Sequence, residues 1–194
     1  MISIAQDYSL RGHLLIATTG LRDSMFRRSV VFVCAHSPNG ALGLMINRPA
    51  ADATLTDLLP GYTIPAGTRP PTEPIYAGGP AEIERGFVLH SPDYDDGGET
   101  LRVDGDFAMT ASKRVIRDLI AGRGPVLRLV TLGYAGWGPG QLDTEVRENS
   151  WLTVEATPAL VFTDPGDDKW RDAIAAIGID LSALPGLSAH HGHA

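Results

Sequence analysis

The chain has 194 residues and a formal net charge of −7, from 16 basic and 23 acidic side chains. A chain of this length suits one domain that buries roughly 70% of its extended surface, so a core without disulfide staples is expected. The acidic excess runs through both halves, 7 basic against 10 acidic in residues 1–97 and 9 against 13 in residues 98–194, which argues against extended binding to a phosphate backbone.

Residues 1–12 read as an irregular or short helical lead-in. They are polar and lack the apolar stretch of a secretory leader. No run of about 18 apolar residues marks a membrane span. The single cysteine, Cys34, sits inside an apolar run, where a free thiol behaves as a small hydrophobe. A reducing, cytoplasmic setting is the expectation. His13 to Ala17 is a short apolar strand, and Thr18 to Phe26 is a turn region with Asp23-Ser24 as its cap.

Arg27 to Pro49, RRSVVFVCAHSPNGALGLMINRP, reads as one β-hairpin. Val30 to Ala35 suits a strand buried on both faces. Ser37-Pro38-Asn39-Gly40 is the turn. Ala41 to Ile46 returns, and Pro49 ends the strand because it has no N–H to donate. With that loop His36 pairs with Ala41, and Ser29 falls opposite Arg48. Leu42, Leu44, Ile46 and Arg48 then share a face with Arg27, Ser29, Val31 and Val33. Arg28 and Asn47 take the other face.

Ala50 to Leu59 holds a short helix capped by Thr54, with Leu55, Leu58 and Leu59 inward. Pro60 to Pro74 is a proline-rich loop. Ile75 to Ala77 is a strand halted by Gly78-Gly79-Pro80. Gly86 to His90 is another strand, and Asp93 to Gly98 an acidic loop. Asp104-Gly105, flanked by Leu101, Val103, Phe107 and Met109, signals a hairpin. Thr110 to Ser112 caps a helix over Lys113 to Ala121, with Val115, Ile116, Leu119 and Ile120 inward and Gly122 at its end. Val126 to Leu132 is a buried strand, Gly133 to Gly140 a glycine-rich turn, and Gln141 to Asn149 a helix. Trp151 to Glu155 and Leu160 to Phe162 are strands. Asp167 to Ile177 is an amphipathic helix with Trp170, Ala173, Ile174 and Ile177 on one face. Strand pairs interleaved with helices point to an α+β fold over residues 1–194, one domain with a mixed or largely antiparallel sheet.

The main candidate site is Arg27, Arg28, Asn47 and Arg48 at the open end of the hairpin. It is the one concentrated positive charge in the sequence. Clustered guanidiniums need carboxylates, solvent or a bound anion, and Arg forks hold carboxylate or phosphate bidentately. A small anion site is one reading, and pairing with Asp52, Asp57 or another acidic side chain is the other. The run Gly133 to Gln141 is the second candidate. A glycine-rich turn before a helix offers N–H groups to an anion, with Tyr134, Trp137 and Gln141 as lining. It lacks the G-K-[ST] ending of a P-loop, and Asp143 and Glu145 already suit the helix dipole. A structural turn is therefore the competing account. Gly78 and Gly79 line the same cleft or form a tight turn.

No HExxH or Cys/His spacing is present, so no metal site and no cofactor are expected, although His190, His191 and His193 could hold a metal loosely. There is no G-x-S-x-G elbow, and no catalytic residue is assigned. The favoured expectation is a non-enzymatic protein that binds a protein partner or a small anionic ligand. The alternative is an enzyme whose cleft gathers Gly78-Gly79, His90 and Tyr134–Gln141, and a direct transcriptional regulator is the third reading.

Several segments together resemble the YqgE/AlgH family of bacterial proteins. They are GHLLIA at Gly12–Ala17, FRRSVVFVCAH at Phe26–His36, GALGLMINRP at Gly40–Pro49, YAGGP at Tyr76–Pro80 and GFVLHSPD at Gly86–Asp93. LGYAGWGPGQLDTEVRENSWL at Leu132–Leu152 and Gly192-His193-Ala194 complete the match, which runs almost end to end. Thr18-Thr19-Gly20 departs from the family's usual Met-Pro, and Asp93–Glu99 looks like a variable loop. The resemblance implies an α+β fold with a large, mixed, curved sheet flanked by helices. It supplies no catalytic residues. One branch of the family carries a label as a regulator of alginate-related transcription. The acidic balance, and the lack of a helix-turn-helix with a basic recognition helix, make direct nucleic-acid binding a poor expectation.

Overall fold

The computed structural model describes residues 9–18, 21, 23–163 and 168–179. Its strands are β1 (His13–Ala17), β2 (Val30–Ser37), β3 (Gly40–Met45), β4 (Ile75–Ala77) and β5 (Ala81–His90), then β6 (Thr100–Arg102), β7 (Ala108–Thr110), β8 (Arg128–Trp137) and β9 (Trp151–Glu155). Among the described residues they form one sheet in the order β6-β7-β5-β8-β3-β2-β1-β9. The short β4 lies off this path and pairs parallel with β8, while the other strand pairs are antiparallel. The expected mixed, mostly antiparallel α+β architecture is the one observed.

Side chains alternate across a strand, so the sheet has two faces. On one, Leu14, Ile16, Val30, Phe32, Leu44, Phe87 and Leu129 form the main core. Phe107 covers it, together with Phe162 of α3 (Pro158–Phe162) and Trp170 of α4 (Asp168–Ala176). On the other face the core splits. Leu15, Val31, Met45 and Trp137 pack with Leu142 of α2 (Gln141–Arg147). Val88 and Val130 pack instead with Leu55 and with Val115, Ile116, Leu119 and Ile120 of α1 (Lys113–Ile120). Each fully buried side chain of this size contributes about 1.5–3 kcal/mol.

Capping chemistry sets several boundaries as expected. The Asp23 side chain accepts from Met25 N at 2.9 Å and starts a 3-10 turn at Ser24–Phe26. Ser112 accepts from Val115 N at 3.2 Å and starts α1. The helix expected over Ala50–Leu59 shortens to a 3-10 turn at Leu55–Leu58, with Thr54 at its cap.

Three expectations need correction. The hairpin turn closes as read, with His36 opposite Ala41 and Ser37 opposite Gly40. A bulge at Cys34 then slips the register, so Phe32 faces Leu44 and Val31 faces Met45. Leu42, Leu44 and Ile46 therefore pack with Val30 and Phe32, not with Val31 and Val33. One extra residue in a strand exchanges its faces.

The second correction concerns the glycine-rich run. Gly133–Trp137 is the second half of β8, and only Gly138–Gly140 remains as a turn. The third concerns Leu160–Phe162, which belongs to α3 and not to a strand. Thr157 Oγ1 accepts from Leu160 N at 3.3 Å and Pro158 sits in the first turn, a combination that favours helix. Residues 1–8 and 180–194, including His190, His191 and His193, lie outside the described residues. No helix among the described residues is long and apolar enough to cross a membrane.

The glycines of β8 and of the β4–β5 connection allow a close backbone crossing. A Cβ on Gly79, at φ +156°, would lie 2.1 Å from the carbonyl carbon of Tyr134. One on Gly78 would lie 2.3 Å from Gly133 O. Gly79→Ala is expected to lower the stability by about 3 kcal/mol or more. Urea denaturation followed by far-UV circular dichroism checks this, with Gly97→Ala, whose Cβ meets nothing within 4 Å, as the milder comparison.

Candidate functional site

The arginine end of the hairpin is built by backbone satisfaction. Asn47 replaces a ladder pair with its side chain: Oδ1 accepts from Val30 N at 2.8 Å and Nδ2 donates to Arg28 O at 2.8 Å. Arg48 reaches across the open end, where Nη1 donates to Met25 O and Nη2 to Arg27 O at 3.2 Å. Its charge therefore caps carbonyls of the preceding turn. Arg28, in a left-handed conformation at φ +55°, lays its guanidinium 5.0 Å from the centre of the Trp170 ring, a cation–π contact. Its buried Nε has no hydrogen-bond partner among the described residues. Arg27 is exposed. The guanidiniums of Arg48 and Arg28 thus have separate protein contacts, and that of Arg27 adds to neither among the described residues. Among the described residues none of them is ion-paired with Asp52 or Asp57.

The second candidate resolves into a packed polar node. Tyr134 lies in β8 with its ring 5.6 Å from Phe87. Gln141 ties the preceding turn to its helix: Oε1 accepts from Gly138 N at 3.0 Å and Nε2 donates to Glu145 Oε1 at 2.8 Å. Glu145 Oε2 accepts from the indoles of Trp137 at 2.9 Å and Trp151 at 2.8 Å. Asp143 in the first turn of α2 lies 3.4 Å from His36 Nε2. Leu10 N donates to His36 Nδ1 at 3.0 Å, which leaves the ring proton on Nε2, facing the carboxylate. The side chains around this helix terminus are thus engaged with one another and with Gly138 N. Gly78 and Gly79 lie against Gly133 and Tyr134 as the backbone crossing.

His90 does not join them. It pairs with Arg128 at the far end of β8 and is fully buried. Its Nδ1 donates to Ser91 O at 2.7 Å, and Nε2 lies 2.9 Å from Thr110 Oγ1. Burial pushes its pKa below the ordinary value, aided by Arg102 and opposed by the Ser91 bond, Asp93 and Asp95. Among the described residues no three His, Cys, Asp or Glu side chains cluster as a metal site.

A feature that the sequence did not announce lies on the other side of β5. Ala81 pairs with Tyr134 and Gly86 with Leu132, so Glu82–Arg85 loop outward between them. Glu82 takes φ +45°. This bulge and α1 enclose a groove of about 650 Å³. Leu58, Gly86, Ala111 and Ile116 line it, and Ile83, 64% exposed, stands at its edge. Arg85 pairs with Glu82 at 3.1 Å and lies over Phe87. Lys113, on the opposite rim, has no ion pair among the described residues. The first turn of α1 holds no acidic residue. The one signal in the sequence was the charged stretch Glu82-Ile83-Glu84-Arg85 before a strand, which reads equally well as solvated surface.

Two outcomes test these assignments. Asn47→Ala leaves Val30 N and Arg28 O without their side-chain partner, and is expected to cost about 1–3 kcal/mol in urea denaturation. For His90, the folded state releases its proton at lower pH than the unfolded chain does. Between the two pKa values the unfolded state binds more protons, so stability rises with pH there. The His90 contribution is complete above the unfolded value and is lost as pH falls through the folded one. A urea-midpoint series below neutral pH should show this slope, and His90→Gln should flatten it.

The AlgH-like family model, DUF179, matches residues 14–182. A UPF0301 protein of Jannaschia sp. (strain CCS1) is 47% identical over 94% of this chain and 96% of its own length. One from Ruegeria pomeroyi is 45% identical over 95% and 99%. Among solved structures, the AlgH protein from Pseudomonas aeruginosa superposes with a TM-score of 0.76 at 38% identity, covering 96% of each chain. A Corynebacterium diphtheriae protein, at 22% identity and a TM-score of 0.65 over 84% of each chain, shares the fold. With a matching family model over most of its length and relatives at this identity, the chain belongs to the AlgH-like, UPF0301 family of bacterial proteins.

Proposed function

We propose that this protein is a non-enzymatic binding protein that takes a small anionic ligand with an apolar body into the groove between the β5 bulge and α1. The observation that carries this reading is the groove itself. Its volume of about 650 Å³ falls in the range of small-molecule sites, and its lining sets Leu58, Ala111 and Ile116 beside the charged Glu82, Glu84, Arg85 and Lys113. Lys113 and the positive end of the α1 dipole favour a negative headgroup. Glu82 is paired with Arg85, and Glu84 on the bulge side opposes negative charge, so the ligand proposed carries a single carboxylate, placed beside Lys113. His36 and His90 have both ring nitrogens engaged, which leaves neither as a free general base.

A regulatory role would then run through occupancy of this groove and whatever partner reads it. Direct capture of DNA is a poor fit to a net charge of −7. The cytoplasm, where Cys34 stays reduced, is the proposed setting.

Octanoate is the test ligand, followed by amide shifts in two-dimensional NMR. The expected result is a saturable shift of Gly86, Ser112, Lys113 and Ile116. Lys113→Glu should weaken it at least tenfold, about 1.4 kcal/mol, without lowering Tm, because an acidic residue suits a helix N-terminus. Shifts elsewhere, or unchanged binding by Lys113→Glu, would sink the assignment.

A further inference from the structure

A buried polar chain leads from His90 to the acidic loop and is independent of the groove ligand. His90 Nε2 lies 2.9 Å from Thr110 Oγ1, and Thr110 Oγ1 lies 2.7 Å from Thr100 Oγ1. Thr100 Oγ1 lies 3.2 Å from Asp96 Oδ1 and accepts from Asp96 N at 3.2 Å. His90 and Thr110 are fully buried. Asp96 Oδ1 also accepts from Glu99 N at 2.9 Å and Gly98 N at 3.3 Å, and so holds the loop.

We propose that His90, Thr110, Thr100 and Asp96 form a reversible hydrogen-bond relay whose polarity is set by the charge on His90, so that protonation of a buried ring is read out at the acidic loop. The available hydrogens fix the polarity. Nδ1 faces the Ser91 carbonyl, so it carries a proton in every state. In the neutral ring Nε2 is an acceptor, and Thr110 must donate to it. Thr110 then accepts from Thr100, whose single hydrogen is thereby used. The Thr100 hydroxyl contributes no hydrogen to Asp96.

When Nε2 takes up one proton from solvent it becomes a donor. Thr110 now accepts from it and turns its hydrogen to Thr100, and Thr100 turns its own to Asp96 Oδ1. The only covalent bond formed is N–H at the ring; the two hydroxyls rotate. The imidazolium is then connected to a carboxylate by an unbroken chain of donors, and the loop gains a hydrogen bond.

The surroundings set the balance. Asp93 and Asp95 face the ring from the loop and favour its cation, while Arg102 of β6 opposes it. Tyr94 stands edge-on at 5.7 Å and is tied to Asp118 of α1. Burial, with Asp118 next, pushes the Tyr94 phenol up to about 12, so it stays neutral here. Arg128, the β8 neighbour of His90, is engaged by Glu73, and Arg114 of α1 by Asp118 and the Asp96 carbonyl. Partial burial pushes Asp96 up, but the bonds from Ser112, Glu99 and Gly98 oppose it and hold its carboxyl below the ordinary value, and the Thr100 bond adds to them once Thr100 turns its hydrogen to Asp96. It is therefore ionised at neutral and mildly acidic pH.

The test is an NMR titration of the His90 ring nitrogens and the loop amides, from about pH 7.5 to about pH 4.5, spanning the imidazole range. It uses the full chain and its Thr100→Val and Thr100→Ser variants. The expected result is an Nδ1–H tautomer at neutral pH, with the Gly98 and Glu99 amides shifting at the His90 midpoint. Thr100→Ser should keep that shared midpoint. Thr100→Val should remove it from the loop amides and move the His90 midpoint to lower pH. An Nε2–H tautomer, loop shifts unchanged in Thr100→Val, or a ring that stays neutral until the protein unfolds in acid would each overturn the relay. Groove binding of octanoate by Thr100→Val reports separately on the other site.

Discussion

The fold depends on one backbone crossing. Gly78 and Gly79 pass so close to Gly133 and Tyr134 that no side chain fits between them. That contact lets β8 hold β4 and β3 along one edge and β5 along the other. It also forces the next event. The chain leaves the crossing at Ala81, opposite Tyr134, and rejoins β8 at Gly86, opposite Leu132. The surplus residues, Glu82–Arg85, have no place in the ladder and turn outward, which makes the wall of the groove. A packing constraint in the sheet interior therefore sets the shape of the surface.

Charge is used in the same economical way at the hairpin's open end. A concentration of arginines is ordinarily read as an invitation to anions. Here the backbone is the customer: Arg48 satisfies carbonyls of the turn and Asn47 stands in for a missing strand partner. Arg28 meets an aromatic face. At α2 the polar groups likewise find protein partners, as Glu145 collects two indoles and Gln141 accepts from the Gly138 N–H of the preceding turn. The groove beside α1 differs in that its rim lysine has no such partner among the described residues.

Much of the fold was legible because local chemistry decided it. The caps at Asp23 and Ser112, the Asp104-Gly105 turn and the apolar face of α1 all act within a few residues. What was not legible depended on distant chain. The bulge at Cys34 has no local signature, since Val33, Cys34 and Ala35 are equally apolar, and it is expressed only against Gly43 and Leu42. The glycines of β8 read as a turn because glycine usually marks one; their reason lies in another strand. Leu160–Phe162 was short enough for apolar content to suggest strand, and Thr157-Pro158 outweighed it. At the candidate sites, residue types were legible and their partners were not: sequence places three arginines together but cannot tell a carbonyl cap from an anion clamp.

The bulge at Cys34 has a practical consequence. Its thiol is fully enclosed in the main core, and burial drives its pKa well above the ordinary thiol value. A thiol reagent attacks only the thiolate, so the folded chain is silent to alkylation and becomes reactive when the β2–β3 ladder opens. As the one cysteine in the sequence, it is a built-in clock for opening of the central sheet. A cysteine placed on the surface for labelling would be modified alone, with the native residue left untouched.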